Sequence, residues 1–202
     1  MRPARILFYL EVALVVAGIG LGAWSAVRLV EAHRTQRLPI EPVRVTMSLP
    51  GDADSPPAKS PSRAAPPAGT VIGRFEVPSL NISTPVLEGS DDGTLARGAG
   101  HIEDTPFPGE PGNVGIAGHR DTVFRPLEHV TKGAVLQLTT ADRVYRYTVD
   151  RTLIVNPDDV YVLDETKEPT LTLVTCYPFK YVGHAPRRFI VQATLTENPA
   201  TR

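Results

Sequence analysis

Hydrophobic and polar positions along the chain fall into three regimes. From Ile6 to about Val30 the run ILFYLEVALVVAGIGLGAWSAVRLV is mostly apolar. At about 1.5 Å per residue it is long enough to cross a hydrocarbon core of about 30 Å. The pattern predicts a transmembrane helix over residues 6–30 behind a short cytoplasmic N-terminus over 1–5. Arg2 and Arg5 favour that orientation, His33, Arg34 and Arg37 weaken the asymmetry, and Glu11 opposes insertion. A signal peptide cut near Ala23 or Ala26 and a buried core helix are the competing readings. The apolar run exceeds the roughly 7 to 15 residues of a signal peptide's core, which favours a retained anchor.

Between residues 31 and 69 periodicity vanishes. Pro39, Pro42, Pro50, Pro56, Pro57, Pro61, Pro66 and Pro67 stand among small and charged residues, which cannot build a core. This segment reads as an extended, partly polyproline II tether of about 3.1 Å per residue, holding the next domain away from a bilayer.

From residue 70 the pattern becomes short apolar runs divided by turns. GRFEVPSL, ISTPVLEG, NVGIAGH, AVLQLTT, RVYRYTVDRTLIV, TLTLVTC and RRFIVQATL read as strands. Asp92-Gly93, Pro111-Gly112 and Lys132-Gly133 read as turns. DDGTLARG and TVFRPLEHV allow a helical turn or two. These elements predict an all-β domain over residues 70–197, a closed barrel or a sandwich of roughly seven or eight strands, followed by a tail over 198–202. The composition agrees, with 20 prolines and 16 glycines against six phenylalanines and one tryptophan. In 202 residues there is room for one such domain with its appendages. A formal net charge of -1 leaves no electrostatic footprint for nucleic acid.

Alternation assigns faces to three strands. Leu171 and Leu173 suit a core, which puts Thr172, Val174 and Cys176 on the opposite face. Phe189, Val191, Ala193 and Leu195 make an apolar face, leaving Arg188, Ile190, Gln192 and Thr194 opposite. Val114 and Ile116 point inward, and Asn113, Gly115, Ala117 and His119 outward. The small residues on the His119 face are expected to let an extended peptide lie close to the wall. Cys176 is the single cysteine, so the chain holds no internal disulfide. A free thiol of pKa about 8.5 is a weak nucleophile until a basic or cationic neighbour activates it. A histidine supplies that neighbour, and an arginine can stabilise the oxyanion formed when a thiolate attacks an amide.

LTLVTCYPF at 171–179, RRFIVQA at 187–193 and GNVGIAGHRDT at 112–122 together resemble the sortase family. TLVTC matches the family's TLxTC motif at Cys176, His119 falls on the histidine of its AGH motif, and Arg188 on the arginine opening the last strand. CYPF and GHIEDTPFPGEPGN resemble class D members. The resemblance spans residues 70–197. It implies an eight-stranded barrel with Cys176 as nucleophile, His119 as proton partner and Arg188 as oxyanion stabiliser, with Thr175 and Ala117 lining the substrate. It further implies cleavage of the Thr-Gly bond of a Leu-Pro-X-Thr-Gly-like signal on exported proteins through a thioacyl enzyme, resolved by an amine of a cell-wall precursor. No cofactor or metal is expected, and the location is the cell membrane with the catalytic domain outside. The lack of an Asp-Pro-aromatic lid favours protein anchoring over pilus building.

Other candidates receive plainer readings. His101 is expected in a loop or groove outside the triad, and His129 and His184 in ordinary loops. Arg120 and Asp121 could orient the segment after His119. Glu103, Asp104, Glu110, Asp158, Asp159, Asp164 and Glu165 read as solvated loop acids rather than calcium ligands. Two rival functions remain. An L,D-type cysteine transpeptidase lacks here its S-x-G-C-x-R context, and a tethered binding domain would make Cys176 a merely buried hydrophobe.

Overall fold

The computed structural model describes residues 65–197, together with residues 15, 16, 18–20 and 23, which are helical. The remainder of the expected membrane helix, most of the proline-rich tether and the tail over 198–202 lie outside the described residues. Among the described residues no helix is long and apolar enough to cross a membrane.

Eight strands build the domain: β1 (Val71–Val77), β2 (Ile82–Glu88), β3 (Ala99–His101), β4 (Asn113–Ala117), β5 (Val135–Thr139), β6 (Val144–Val155), β7 (Thr170–Tyr177) and β8 (Arg187–Glu197). They close into a barrel in the order β1-β2-β3-β4-β7-β8-β6-β5, which decides between barrel and sandwich and leaves no unpaired edge. β2–β3 and β4–β7 pair in parallel, the others antiparallel. The run GRFEVPSL stops being a strand at Pro78, which lacks an N–H for the ladder, and continues as the 3-10 turn η1 (Pro78–Leu80). NVGIAGH ends as a strand at Ala117, so Gly118 and His119 belong to the loop beyond it.

The short helices fall where turns were expected. α1 (Asp92–Leu95) starts at Asp91, whose carboxylate accepts from the Gly93 and Thr94 amides, the usual remedy for the unpaired donors of a first turn. η2 (Arg125–His129) follows the buried Phe124. A further turn, η3 (Val160–Leu163), lies in the β6–β7 connection and was not foreshadowed by the pattern.

Two apolar clusters explain the strand faces. Phe75, Val86, Ile116, Leu138, Tyr147, Leu173 and Val191 help fill the interior. A smaller cluster of Val155, Val162 and Ile190, with Leu153, Leu163 and Val174 against it, lies on the outer wall where η3 covers β7 and β8. β6 reaches both clusters because its register shifts between Val149 and Arg151. One extra residue reverses the alternation, so Tyr145, Tyr147 and Val149 face inward whereas Leu153 and Val155 face η3.

Polar groups fasten η3 to the wall. Asn113, fully buried, donates through Nδ2 to Val162 O at 3.0 Å and Asp164 O at 3.2 Å, and accepts from Thr172 Oγ1 at 2.7 Å. Gln192 donates to Val162 O at 3.1 Å and accepts from Arg151 Nε at 2.8 Å. Each buried amide therefore has partners, as burial demands.

Candidate active site

β7 lies between β4 and β8, and its register sets what stands beside its end. Cys176 pairs with Arg188 across the antiparallel β7–β8 ladder, and directly opposed residues share a face. Arg187 instead pairs with Tyr177 and falls on the other face. On the opposite flank Ala117 pairs in parallel with Val174. The pairing continues past β4: the Gly118 amide donates to Val174 O at 3.1 Å, and Thr175 Oγ1 donates to Gly118 O at 2.7 Å. His119 is the next residue, so its backbone emerges alongside the end of β7, one strand spacing of about 4.8 Å away. Cys176, His119 and Arg188 are all partly exposed.

The His119 segment is fixed from both sides. Phe124 is fully buried, meets Phe75 edge-on at 5.8 Å and donates its amide to His119 O at 3.0 Å. An added Cβ at Gly118 would lie 2.6 Å from the Phe124 ring, so only glycine permits this approach. Among the described residues neither the His119 ring nor Cys176 Sγ has a hydrogen-bond partner, an arrangement that commonly tightens only once substrate is bound. Arg188 Nη1 donates to Arg187 O at 3.2 Å and reaches Ala185 O at 3.5 Å, which leans the guanidinium toward the β7–β8 connection.

Several sequence expectations change with the geometry. Thr175 has only 3 % of its surface exposed, and its hydroxyl ties β7 to Gly118, so its side chain reaches the site through the backbone it holds. Ala117 is partly exposed at the end of β4. The small residues before it do not form an open wall: an added Cβ at Gly115 would meet Ile102, Thr105 and Leu163 at 3.1 Å each. Gly115 is small because the β3–β4 loop and η3 pack over it, and Asn113 is buried beneath the same cover.

His101 is neither in a loop nor in a groove. It sits on β3 with 1 % exposure, its Nδ1 3.0 Å from Glu88 Oε2 and its Nε2 3.0 Å from Pro106 O, stacked on Phe107 at 4.6 Å. Thr105 Oγ1, 3.2 Å from Nε2, donates to Ile102 O. Nε2 thus faces two acceptors and carries a hydrogen. The ring fastens the β3–β4 loop to the barrel. His184 is exposed in the β7–β8 connection and His129 closes η2.

Three of the loop acids, Glu103, Glu110 and Asp159, accept from backbone amides. Glu103 accepts from Ser90 Oγ at 2.6 Å and the Ser90 amide at 3.1 Å, and the Ser90 hydroxyl holds its carboxyl below the ordinary carboxylate value. Glu110 accepts from the Phe107 amide and Asp159 from the Asn156 amide. Among the described residues no group of three or more His, Cys, Asp or Glu converges as metal ligands would.

Comparison with known proteins meets this geometry from outside. A family model described as Sortase domain matches residues 75–196. Sortase D of Bacillus subtilis (strain 168) is 32% identical over 197 residues, covering 95% of this chain and 97% of that protein. Sortase A of Listeria monocytogenes is 36% identical over 110 residues, 52% of this chain and 49% of that protein. Among solved structures, a Clostridium perfringens sortase D5 transpeptidase superposes with a TM-score of 0.59 at 32% identity, covering 64% of this chain and 81% of that one. Listeria monocytogenes sortase A gives 0.59 at 30% identity, over 63% and 88%. With the barrel, the motifs and a near end-to-end relative in agreement, the chain belongs to the sortase family of cysteine transpeptidases.

Proposed function

We propose that this enzyme cleaves the Thr-Gly bond of a Leu-Pro-X-Thr-Gly-like sorting signal on exported proteins and transfers the new carboxyl end to an amine of a cell-envelope precursor. In this reading the Cys176 thiolate attacks the threonine carbonyl and Arg188 stabilises the oxyanion. Protonated His119 gives its proton to the departing glycine amine, leaving a thioester. The incoming amine then attacks the thioester, His119 accepts a proton, and the thiolate departs. No cofactor enters this sequence.

The observation that carries the reading is the position of the chain's single cysteine on β7, opposite Arg188 on one flank and beside the His119 segment on the other. A cysteine transpeptidase with one cysteine has one candidate nucleophile. Location follows from the sequence: the apolar stretch over residues 6–30 would anchor the chain in the cell membrane, and the proline-rich segment over 31–69 would hold the barrel outside. The test is mass spectrometry of wild type and Cys176→Ala after incubation with a library of X-Thr-Gly peptides and an amine. A thioacyl adduct on wild type alone is the expected result. An adduct on the variant, or unchanged turnover, overturns the nucleophile.

A further inference from the structure

Arg120, directly after His119, reaches across the site to a segment 61 to 63 positions later. Its Nη2 donates to Tyr181 O and to Gly183 O, each at 3.0 Å. Its guanidinium carbon lies 5.7 Å from the centroid of the Tyr181 ring, within range of a cation–π attraction. These contacts grip the irregular β7–β8 connection, which joins the strands carrying Cys176 and Arg188. Its start is anchored by Phe179, which packs against the core and meets Tyr177 and Phe189 edge-on at 6.2 Å and 5.2 Å, whereas the stretch from Tyr181 to His184 is exposed. Val182 is 99 % exposed, and Gly183, at φ +100, has open space around it. Besides the Phe179 contacts, its side-chain ties include the Arg188 contact to Ala185 O and an exposed Lys180–Glu128 ion pair at 3.7 Å, the last of small value.

The second terminal nitrogen of Arg120 differs from the first. Nη1 is shut off from solvent and has no hydrogen-bond partner among the described residues. The two loop carbonyls are held through Nη2 alone.

We propose that Arg120 is a positioning residue: one guanidinium latches the β7–β8 connection to the His119 segment, setting Cys176, His119 and Arg188 relative to one another. The catalytic consequence rests on the sortase reading, whereas the latch itself does not. The grip uses both hydrogens of one terminal nitrogen while the planar guanidinium lies over the Tyr181 ring, a flat stacking face that an ammonium does not supply.

The test uses the full-length chain in detergent as wild type, Arg120→Lys, Arg120→Met and Tyr181→Leu. Hydrogen–deuterium exchange reports the latch without any substrate. Faster exchange across residues 178–186 in both Arg120 variants, with barrel amides unchanged, is the expected result. Tyr181→Leu keeps both carbonyl acceptors and should loosen the loop less. On the best sorting peptide, both Arg120 variants should lose about 100-fold in kcat, the scale of a small misplacement of reacting groups, with KM moving less. Lysine should not rescue. Wild-type exchange and kcat in Arg120→Lys would show that charge alone matters and overturn the latch. Exchange rising through the whole barrel would make Arg120 merely structural and overturn it equally. If wild type turns over no sorting peptide, the functional reading fails while exchange still decides the latch.

Discussion

Arg187 and Arg188 are adjacent and chemically alike, yet strand register gives them opposite faces. Arg188 opposes Cys176 and Arg187 opposes Tyr177. Removing an oxyanion donor costs on the order of 100- to 1000-fold in turnover, so Arg188→Ala should be severely defective. Arg188→Lys should recover little, because an ammonium lacks the fork, and Arg187→Ala should be near normal. The check is kcat for all three on one sorting peptide, with folding followed by circular dichroism. A crippled Arg187→Ala would reverse the assignment. Thr175 makes a second case at this scale. Its hydroxyl serves Gly118 O from a buried position, so Thr175→Val keeps the shape and strands a carbonyl. Destabilisation of about 1 to 3 kcal/mol is expected from urea unfolding, together with reduced turnover. Loss of turnover without any stability change would instead argue for direct substrate contact.

Single elements reveal what sequence pattern can and cannot carry. β7 and β8 were legible, faces included, because Leu171 and Leu173, and Phe189, Val191 and Ala193, recur at a period of two and do pack in the interior. β3 was not, since Ala99, Gly100 and His101 give too few residues for alternation. The η3 cover was hidden for another reason. Val174 and Ile190 look like exposed positions on an outer face, and only a connection arriving from elsewhere buries them. The cover depends on Asn113, so Asn113→Ala should cost about 2 to 3 kcal/mol by leaving the Asp164 carbonyl and Thr172 hydroxyl without that partner. Urea unfolding measures it, and a loss under 0.5 kcal/mol, the scale of an unremarkable surface substitution, would mean that η3 is held by its apolar contacts alone. The Ser90–Glu103 tie between the β2–α1 and β3–β4 loops carries a pH signature. Glu103 is held below its ordinary 4.5 first by the Ser90 hydroxyl. A carboxylate depressed in the folded state stabilises above its unfolded pKa, and that contribution disappears as pH falls through the folded value. Wild type should therefore exceed Glu103→Gln in thermal midpoint at pH 7 and match it once Glu103 is protonated. A difference unchanged at pH 2 would remove the charge from the explanation.

For the molecule as a whole, the motifs were readable as short contiguous stretches of sequence, whereas the mutual placement of their residues was not. Nothing local in GNVGIAGHRDT announces that Gly118 will accept from Thr175, or that Arg120 will find carbonyls at 181 and 183. Such partners meet only after the barrel closes. The same view refines the edge of the domain. The Gly69 amide donates to Glu88 O at 2.7 Å and Glu88 N to Thr70 O at 2.8 Å, so the first bonds precede β1. A chain trimmed to begin at Ala65 should fold and turn over sorting peptide, and one begun at Thr70 should unfold at lower temperature. Equal midpoints would show that the Gly69 bond contributes nothing.

The parallel pairing of β4 with β7 also bears on when the proposed nucleophile meets its partners. Asn113 and Thr170 are partners across this ladder, and the Thr175–Gly118 bond spans 57 positions, so these contacts close a long loop and raise the contact order. Folds dominated by such pairings form in milliseconds to seconds rather than microseconds. During that interval the newly emerged thiol has neither its imidazole nor its guanidinium beside it. On the function proposed above, the nucleophile is thus armed by the completion of folding itself, and a chain still folding carries an idle cysteine.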